Sequence, residues 1–345
     1  MSRRLTRSIV AVAAALGLAG LTACGGAAAP PEDADSALPL TLQQFPGSLL
    51  YISDVVAQEE GIFARNGLKV TFVKPGDGAT AMRLLASGDA QGLLADVASG
   101  LSAAAQGQPI GVAGSVINRN LFQISARAGL TAPTGDWKSK IEALRGRTVA
   151  VPGIGSSADR VLRGLLREAG LDPDKDVTIV AVSTSQAAIA QFQQNALDAL
   201  INVAPAADII AKAGAGALYL DVAEEAPDRF AKSVIGMMTN RTFAEANPEV
   251  INRWVASEQQ AIEFIRDPAN RPAVIGHIAE TVTGGDTAMA ESLAGYLDDT
   301  IYTETRPGLA VPIDALQDQI ALLVAGGVPA GSVDVSKFVV APGHK

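Results

Sequence analysis

The sequence predicts an α/β protein built from two mostly parallel sheets flanked by helices. Three observations predict it. Short apolar runs of strand length alternate with amphipathic stretches of helix length over most of the chain after residue 38. Turns rich in glycine, proline or hydroxyl residues separate these runs. The chain has 345 residues, 48% of them apolar and 18% charged, enough core for two domains and too little charge for bulk disorder.

The elements follow in order. Residues 38–43 read as a strand, broken by Phe45-Pro46-Gly47-Ser48. Residues 51–66 carry Ile52, Val55, Val56, Ile62 and Phe63 at helical spacing, and Asn66-Gly67 stops that helix. Residues 68–73 alternate as a strand, and Pro75-Gly76-Asp77-Gly78 turns the chain. A helix over 79–86, a buried strand over 91–95, a helix over 97–106 and a strand over 110–116 come next. Residues 121–126 are apolar and extended. Residues 130–140 read as a polar loop before a short helix ending at Leu144. Strands over 148–151, 177–182, 199–203 and 217–220 then alternate with helices over 156–169, up to 195, and 205–213. Residues 233–239 form another extended apolar segment. The rest reads as helical, over 248–266, 273–283, 286–297 and 313–325.

Composition excludes several functions. Lys+Arg total 27 against 36 Asp+Glu, and an acidic chain without basic clusters is a poor nucleic-acid binder. One cysteine excludes an intrachain disulfide and a Cys-based zinc site. Two histidines, His277 and His344, leave little for a metal centre, and aromatics at 4% disfavour stacking platforms. No cofactor or metal is expected.

Gly153-x-Gly155-x-x-Ala158 follows a strand and opens a helix, as a dinucleotide fingerprint does. The acid that should end the next strand is missing, since Asp174 and Asp176 precede that strand. Glycine there still lets backbone approach a ligand, and a helix start attracts negative charge. His277 reads as packed or surface, Trp137 and Trp254 as packing, and Glu59-Glu60 and Asp298-Asp299 as solvated carboxylates. No catalytic constellation emerges. One pattern recurs: the loop after each strand is small and rich in glycine and hydroxyls, and opens a helix. Its residues are Phe45, Gly47, Ser48, Tyr51, Gly78, Ala79, Thr80, Asp96, Ser99, Ser115, Gly155, Ser156, Ser157, Thr184 and Asn202. Singly, such hydroxyls read as N-caps. Together they mark the carboxyl edges of two sheets, where open α/β folds bind ligands. These loops contain no Lys or Arg, so helix N-termini and hydroxyls would have to hold an anion.

The N-terminus has a positive segment (Arg3, Arg4, Arg7), an uncharged apolar run over 9–19, and Leu21-Thr22-Ala23-Cys24. It resembles a bacterial lipoprotein signal, which implies cleavage after residue 23 and a diacylglyceryl group on Cys24. Loss of 1–23 leaves 24 basic and 36 acidic residues, net −12. Residues 24–37 read as a flexible tether.

Four further segments carry a family resemblance. They are Ala57-Gln58-Glu59-Glu60-Gly61-Ile62-Phe63 through Gly67-Leu68-Lys69-Val70, Leu84-Leu85-Ala86-Ser87-Gly88-Asp89, Ala143-Leu144-Arg145-Gly146-Arg147-Thr148-Val149-Ala150-Val151, and Phe192-Gln193-Gln194-Asn195-Ala196-Leu197-Asp198-Ala199. In this order they resemble the periplasmic binding proteins of the nitrate/sulfonate/taurine type, related to thiamine-precursor binding proteins. Two positions depart from the pattern. Asn202-Val203-Ala204-Pro205 keeps only the proline of an aromatic-Asp-Pro, and Asn195 replaces a glycine. The resemblance implies a two-lobe type II fold joined by two crossing strands. Lobe I would span 38–120 and 237–345, and lobe II 121–236, closing on ligand by a hinge. It implies a monomer that hands a small molecule to an ABC permease with a cytoplasmic ATPase, held to the outer face of the cytoplasmic membrane by lipid alone. It implies no enzyme activity. A sulfonate- or nitrate-like anion is the favoured ligand. The alternatives are a thiamine-pyrimidine-like vitamin precursor packed on Phe45 and Tyr51, favoured if Asp77 or Asp96 faces the cleft, and a ligand-sensing lipoprotein not coupled to transport.

Overall fold

The computed structural model describes residues 37–182 and 184–340. The signal segment, Cys24, nearly all of the tether, and Ser183 lie outside the described residues. The first part of the chain lays down β1 (Leu38–Gln43), α1 (Ile52–Glu59), α2 (Ile62–Arg65), β2 (Leu68–Val73), α3 (Gly78–Ser87), β3 (Gly92–Asp96), α4 (Val97–Ala105) and β4 (Ile110–Ile117). After a crossing come β5 (Phe122–Arg127), α5 (Trp137–Glu142), β6 (Thr148–Val151), α6 (Ser157–Glu168), β7 (Thr178–Ala181), α7 (Ser185–Gln193), β8 (Ala199–Val203), α8 (Ala206–Lys212), β9 (Gly216–Asp221), α9 (Val222–Glu225) and α10 (Asp228–Ala231). A second crossing leads to β10 (Ile235–Asn240), α11 (Arg241–Ala246), α12 (Pro248–Arg266), α13 (Arg271–Thr281), α14 (Thr287–Tyr296), α15 (Ile313–Ala325) and α16 (Val335–Phe338).

The first sheet has strand order β2-β1-β3-β10-β4 and the second β7-β6-β8-β5-β9. The fourth place in each sheet belongs to the strand that has just crossed. β1 pairs parallel with β2 and β3, and β6 with β7 and β8. β10 and β5 run antiparallel to both of their neighbours. The reason is topological. The chain leaves β4 at the carboxyl edge of the first sheet and enters the second sheet at its own carboxyl edge, so β5 must run against its neighbours. β10 repeats this on return.

Hydrogen bonds tie the two crossings together. Asn120 donates through Nδ2 to Phe230 O (2.7 Å) and through its backbone N–H to Ala231 O (2.8 Å). Asn118 Nδ2 donates to Glu304 O at 2.9 Å, anchoring the crossing to the first lobe.

Each sheet buries its own core. Leu40, Leu42, Ile52, Val56, Leu85 and Trp254 are fully enclosed in the first lobe, and Val149, Leu162, Leu165, Ile201 and Leu220 in the second. Each such side chain contributes about 1.5–3 kcal/mol. Glycine is required where β10 threads between its neighbours. A Cβ on Gly236 would lie 2.5 Å from Val112 Cγ2 and 2.9 Å from Val97 Cγ1. Gly236→Ala is expected to cost about 1–3 kcal/mol, read as a lower urea midpoint with an unchanged slope.

The structure departs from the sequence reading in a few places. The helix expected over 51–66 is broken, because Gly61 adopts φ +68° and separates α1 from α2. The loop expected over 130–140 contains the start of α5, where Asp136 accepts from Ser139 N at 3.0 Å and caps the helix. α9, α10, α11 and α16 span four to six residues each, too short to show a helical period. The carboxylates read as solvated are partly engaged: Glu60 meets His277 Nε2 at 2.8 Å, and Asp298 pairs with Arg271.

Candidate ligand-binding site

Most of the loops singled out above lie at the carboxyl ends of β1, β2, β3, β6, β7 and β8, and each opens a helical turn. Most of their polar side chains act as caps. Ser48 Oγ accepts from Leu50 N at 3.3 Å, Ser156 Oγ from Asp159 N at 3.3 Å, and Thr184 Oγ1 from Ala187 N at 3.2 Å. Asp77 accepts from Thr80 N at 2.7 Å and Asp96 from Ala98 N at 2.8 Å. The bonds from Thr80 hold the Asp77 carboxyl below the usual range. A capping hydroxyl spends one acceptor and keeps its O–H donor. Ser48, Ser156 and Thr184 therefore each retain a donor, whereas each aspartate uses an oxygen on its own helix.

Several other residues are engaged elsewhere. Ser115 is fully buried and donates to Asn118 Oδ1, so it has no surface to present. Tyr51 is only 4% exposed and packs against Phe45 with ring centroids 6.2 Å apart, so its ring belongs to the first core. Asn202 Oδ1 accepts from the next backbone N–H, that of Val203, at 2.8 Å. Gly78 and Ala79 form the exposed first turn of α3. Gly47 takes φ +79° in open space. The Gly155 N–H is not free for a ligand. It donates to Asp159 Oδ2 at 2.8 Å, and Asp159 also accepts from Arg163 Nε at 2.9 Å.

The loops themselves contain no Lys or Arg, but two arginines reach back to them from inside their helices. Arg160 Nη1 donates to Gly155 O at 2.7 Å, and its Nη2 to Ser157 Oγ at 2.8 Å. The same Nη2 lies 3.5 Å from Ser99 Oγ on α4. Arg160 thus bridges the start of α6 in the second lobe to the start of α4 in the first. On α3, Arg83 Nη2 donates to Thr80 Oγ1 at 2.7 Å. Both arginines sit three residues after a hydroxyl at a helix start, on the same face of the helix. Neither makes an ion pair among the described residues.

The family model described as NMT1/THI5 like matches residues 51–270, more than half of the chain and nearly all of the site. The chain belongs to this family. The aliphatic sulphonate binding protein SsuA of Escherichia coli is similar in structure, with TM-score 0.68 and 21% identity over 88% of this chain and 92% of that one. SsuA of Xanthomonas axonopodis pv. citri, solved with MOPS, gives TM-score 0.65 and 21% identity over 90% and 99%. The nitrate-binding protein NrtA of Synechocystis PCC 6803 gives 0.56 and 15% over 70% and 66%. These matches establish the periplasmic binding protein fold, two mixed sheets flanked by helices, for this NMT1/THI5-like chain. No curated protein matches it.

Behind the site of this family member lies a buried polar cluster that the sequence reading missed. Asp54 on α1 is 1% exposed and Glu258 on α12 is 0% exposed. Ser53 Oγ, Trp254 Nε1 and Tyr302 Oη are buried beside them without a hydrogen bond of ordinary geometry. Burial, then the charge of Glu258, pushes the Asp54 carboxyl well up. Burial also raises Glu258, opposed by the nearby polar groups of Asp54, Ser53 and Trp254. No cation acts on either group among the described residues, and burial favours the neutral, protonated form of both carboxyls. One sequence signal was available: Asp54 lies between Ile52 and Val55-Val56 on a buried face.

Proposed function

We propose that this is an extracytoplasmic solute-binding protein that captures a small oxyanion, sulfonate- or nitrate-like, between its lobes and delivers it to an ABC permease with a cytoplasmic ATPase. The observation that carries the reading is Arg160. It is a guanidinium without a carboxylate partner among the described residues, it reaches from α6 toward Ser99 on α4, and hydroxyl donors at neighbouring helix starts surround it. A planar fork of N–H donors suits an oxyanion, and the two helix starts it joins, those of α4 and α6, add a field of the right sign. The use of Asp77 and Asp96 as caps weighs against an amine or pyrimidine ligand. Sulfonate and nitrate, bound by the similar SsuA and NrtA proteins, fit the same chemistry. The reading is of a monomeric binding protein rather than an enzyme.

The test is a thermal-shift panel of methanesulfonate, taurine, nitrate, bicarbonate, the thiamine pyrimidine and flavins. A ligand at 100 times its Kd adds about 2.7 kcal/mol to stability, a rise of several degrees. Response to a sulfonate or nitrate alone supports the reading. Response to the pyrimidine alone, or to nothing on a protein shown by mass spectrometry to carry no ligand, overturns it.

The anchor is tested separately. Lipid chains on Cys24 would hold the protein to the membrane, each buried CH₂ contributing about 0.8 kcal/mol. Cys24→Ser is expected to move the protein from the membrane fraction into the soluble extracytoplasmic fraction. If the variant stays in the membrane fraction, lipidation of Cys24 is not the anchor.

A further inference from the structure

A second polar contact between the lobes lies across the second sheet from Arg160. α6 packs on one face of that sheet, where Leu162 and Leu165 join Ile201, and α8 packs on the other, where Ile210 joins Leu200. Consecutive strand residues point to opposite faces, so α6 and α8 flank the sheet on its two sides. Val203, shortly before α8, packs against the core of the first lobe. Lys212, in the last turn of α8, forms an ion pair with Asp286, the N-cap of α14 in the first lobe.

The first lobe sets the carboxylate in place by itself. Asp286 Oδ1 accepts from Met289 N at 3.1 Å, which leaves Oδ2 for the ammonium of Lys212. The turn before it is tight. Gly284 and Gly285 take φ +63° and +95°, the Gly285 N–H donates to Ala279 O at 2.8 Å, and Thr283 Oγ1 donates to Asp286 O at 2.8 Å. The helix ends favour the pair as well. The last turn of α8 carries partial negative charge and the first turn of α14 partial positive charge, so each side chain suits its own helix and the two ends attract. Contact with Lys212 holds the Asp286 carboxyl below the usual range. At the far end of α14, Tyr296 feels the charges of Asp221, Asp208 and Glu224 of the second lobe and of Arg119 in the crossing. α14 thus faces the second lobe at both of its ends. Lys212 and Asp286 stay partly exposed, so water can replace their contact when the lobes part.

We infer that Lys212 and Asp286 form a latch between the lobes, which holds part of the protein closed when no ligand is bound. The latch does not depend on which ligand the cleft takes. A ligand that binds the closed form finds more of it already populated, so the latch tightens every such ligand by the same factor. An ion pair of this exposure supports a small factor, at most about fivefold.

The Cys24→Ser chain, without ligand, is the material for the test. Carbodiimide joins an amine to a carboxylate where the two touch, with loss of water. A Lys212–Asp286 amide, mapped by mass spectrometry of the digest, is expected at low salt. Its yield is expected to fall severalfold in 1 M NaCl, where the screening length is about 3 Å. Lys212→Met removes the ammonium, and Asp286→Asn removes the charge while keeping a cap for α14. By small-angle scattering at low salt, each variant is expected to show a larger radius of gyration than the chain that keeps the pair. The double variant should exceed neither single one, and high salt should remove the difference. Each ligand that shifts the melting temperature should bind both variants about two- to fivefold more weakly, by one factor for all ligands. The proposal is overturned if the amide does not form, if the variants scatter like the chain that keeps the pair at low salt, or if the factor differs between ligands, which would place Lys212 or Asp286 at the ligand itself. Absence of any ligand response would count against the cleft reading alone, and the cross-link and the scattering still decide the latch.

Discussion

Arg160→Ala is expected to weaken binding of a small sulfonate or nitrate by about 10- to 100-fold. A hydrogen bond to a charged group is worth about 1.5–3 kcal/mol, and the guanidinium offers more than one donor to an oxyanion. Arg160→Lys should recover only part of this, because an ammonium keeps the charge and loses the planar fork. The measurement is a titration of wild type and both variants against the responsive ligand of the panel. The fold should tolerate the change, since the guanidinium bonds only Gly155 O, Ser157 Oγ and Ser99 Oγ, all at the rim. If Arg160→Ala binds like wild type, the oxyanion is held elsewhere and the cleft assignment fails.

The second large effect is on stability against pH. The folded-state pKa of Asp54 and of Glu258 is raised above the unfolded value. A raised carboxyl stabilises the fold fully below the unfolded pKa of about 4, and this contribution is lost as pH rises through the folded pKa. Wild type is therefore expected to lose stability from this pair as pH climbs above about 4. Glu258→Gln removes one titration and keeps the shape. It should raise the melting temperature at pH 8, by on the order of 1–2 kcal/mol of stability, and change it little at pH 4. The carboxyls of Asp77, Asp136, Asp172, Asp286 and Asp334 are lowered and act in the opposite direction at acid pH, but all five are screened by solvent. Calorimetry of both proteins between pH 4 and 9 isolates the pair. A loss that is the same at every pH would show that Glu258 serves as an ordinary hydrogen-bond partner with no proton to exchange.

The strands were the most legible elements. Residues 38–43, 68–73, 148–151 and 199–203 were read with the bounds the structure gives, because a buried strand between two turn signals has little room to slide. The helices 248–266 and 313–325 were equally legible, since a long apolar stripe averages out local irregularity. The loops at the strand ends were legible as a class, because glycine and hydroxyls there have few roles besides turning, capping and contact with a ligand. Which of those roles each plays was not legible. Ser115 and Ser157 read alike in sequence, yet one is buried under a crossing and the other receives a guanidinium.

Local pattern was enough for the two-sheet α/β class, for the two extended apolar segments that became β5 and β10, and for the strand ends that open helices. These depend on local pattern: side-chain period, turn residues and the alternation of apolar runs. The tertiary structure alone decided the rest. It brought Arg160 against Ser99, 61 residues away along the chain, it set Asp54 of α1 beside Glu258 of α12 from separate segments of the chain, and it placed α15 along α6. Such contacts join residues distant in sequence, and nothing in the local pattern around either partner reports the distance between them.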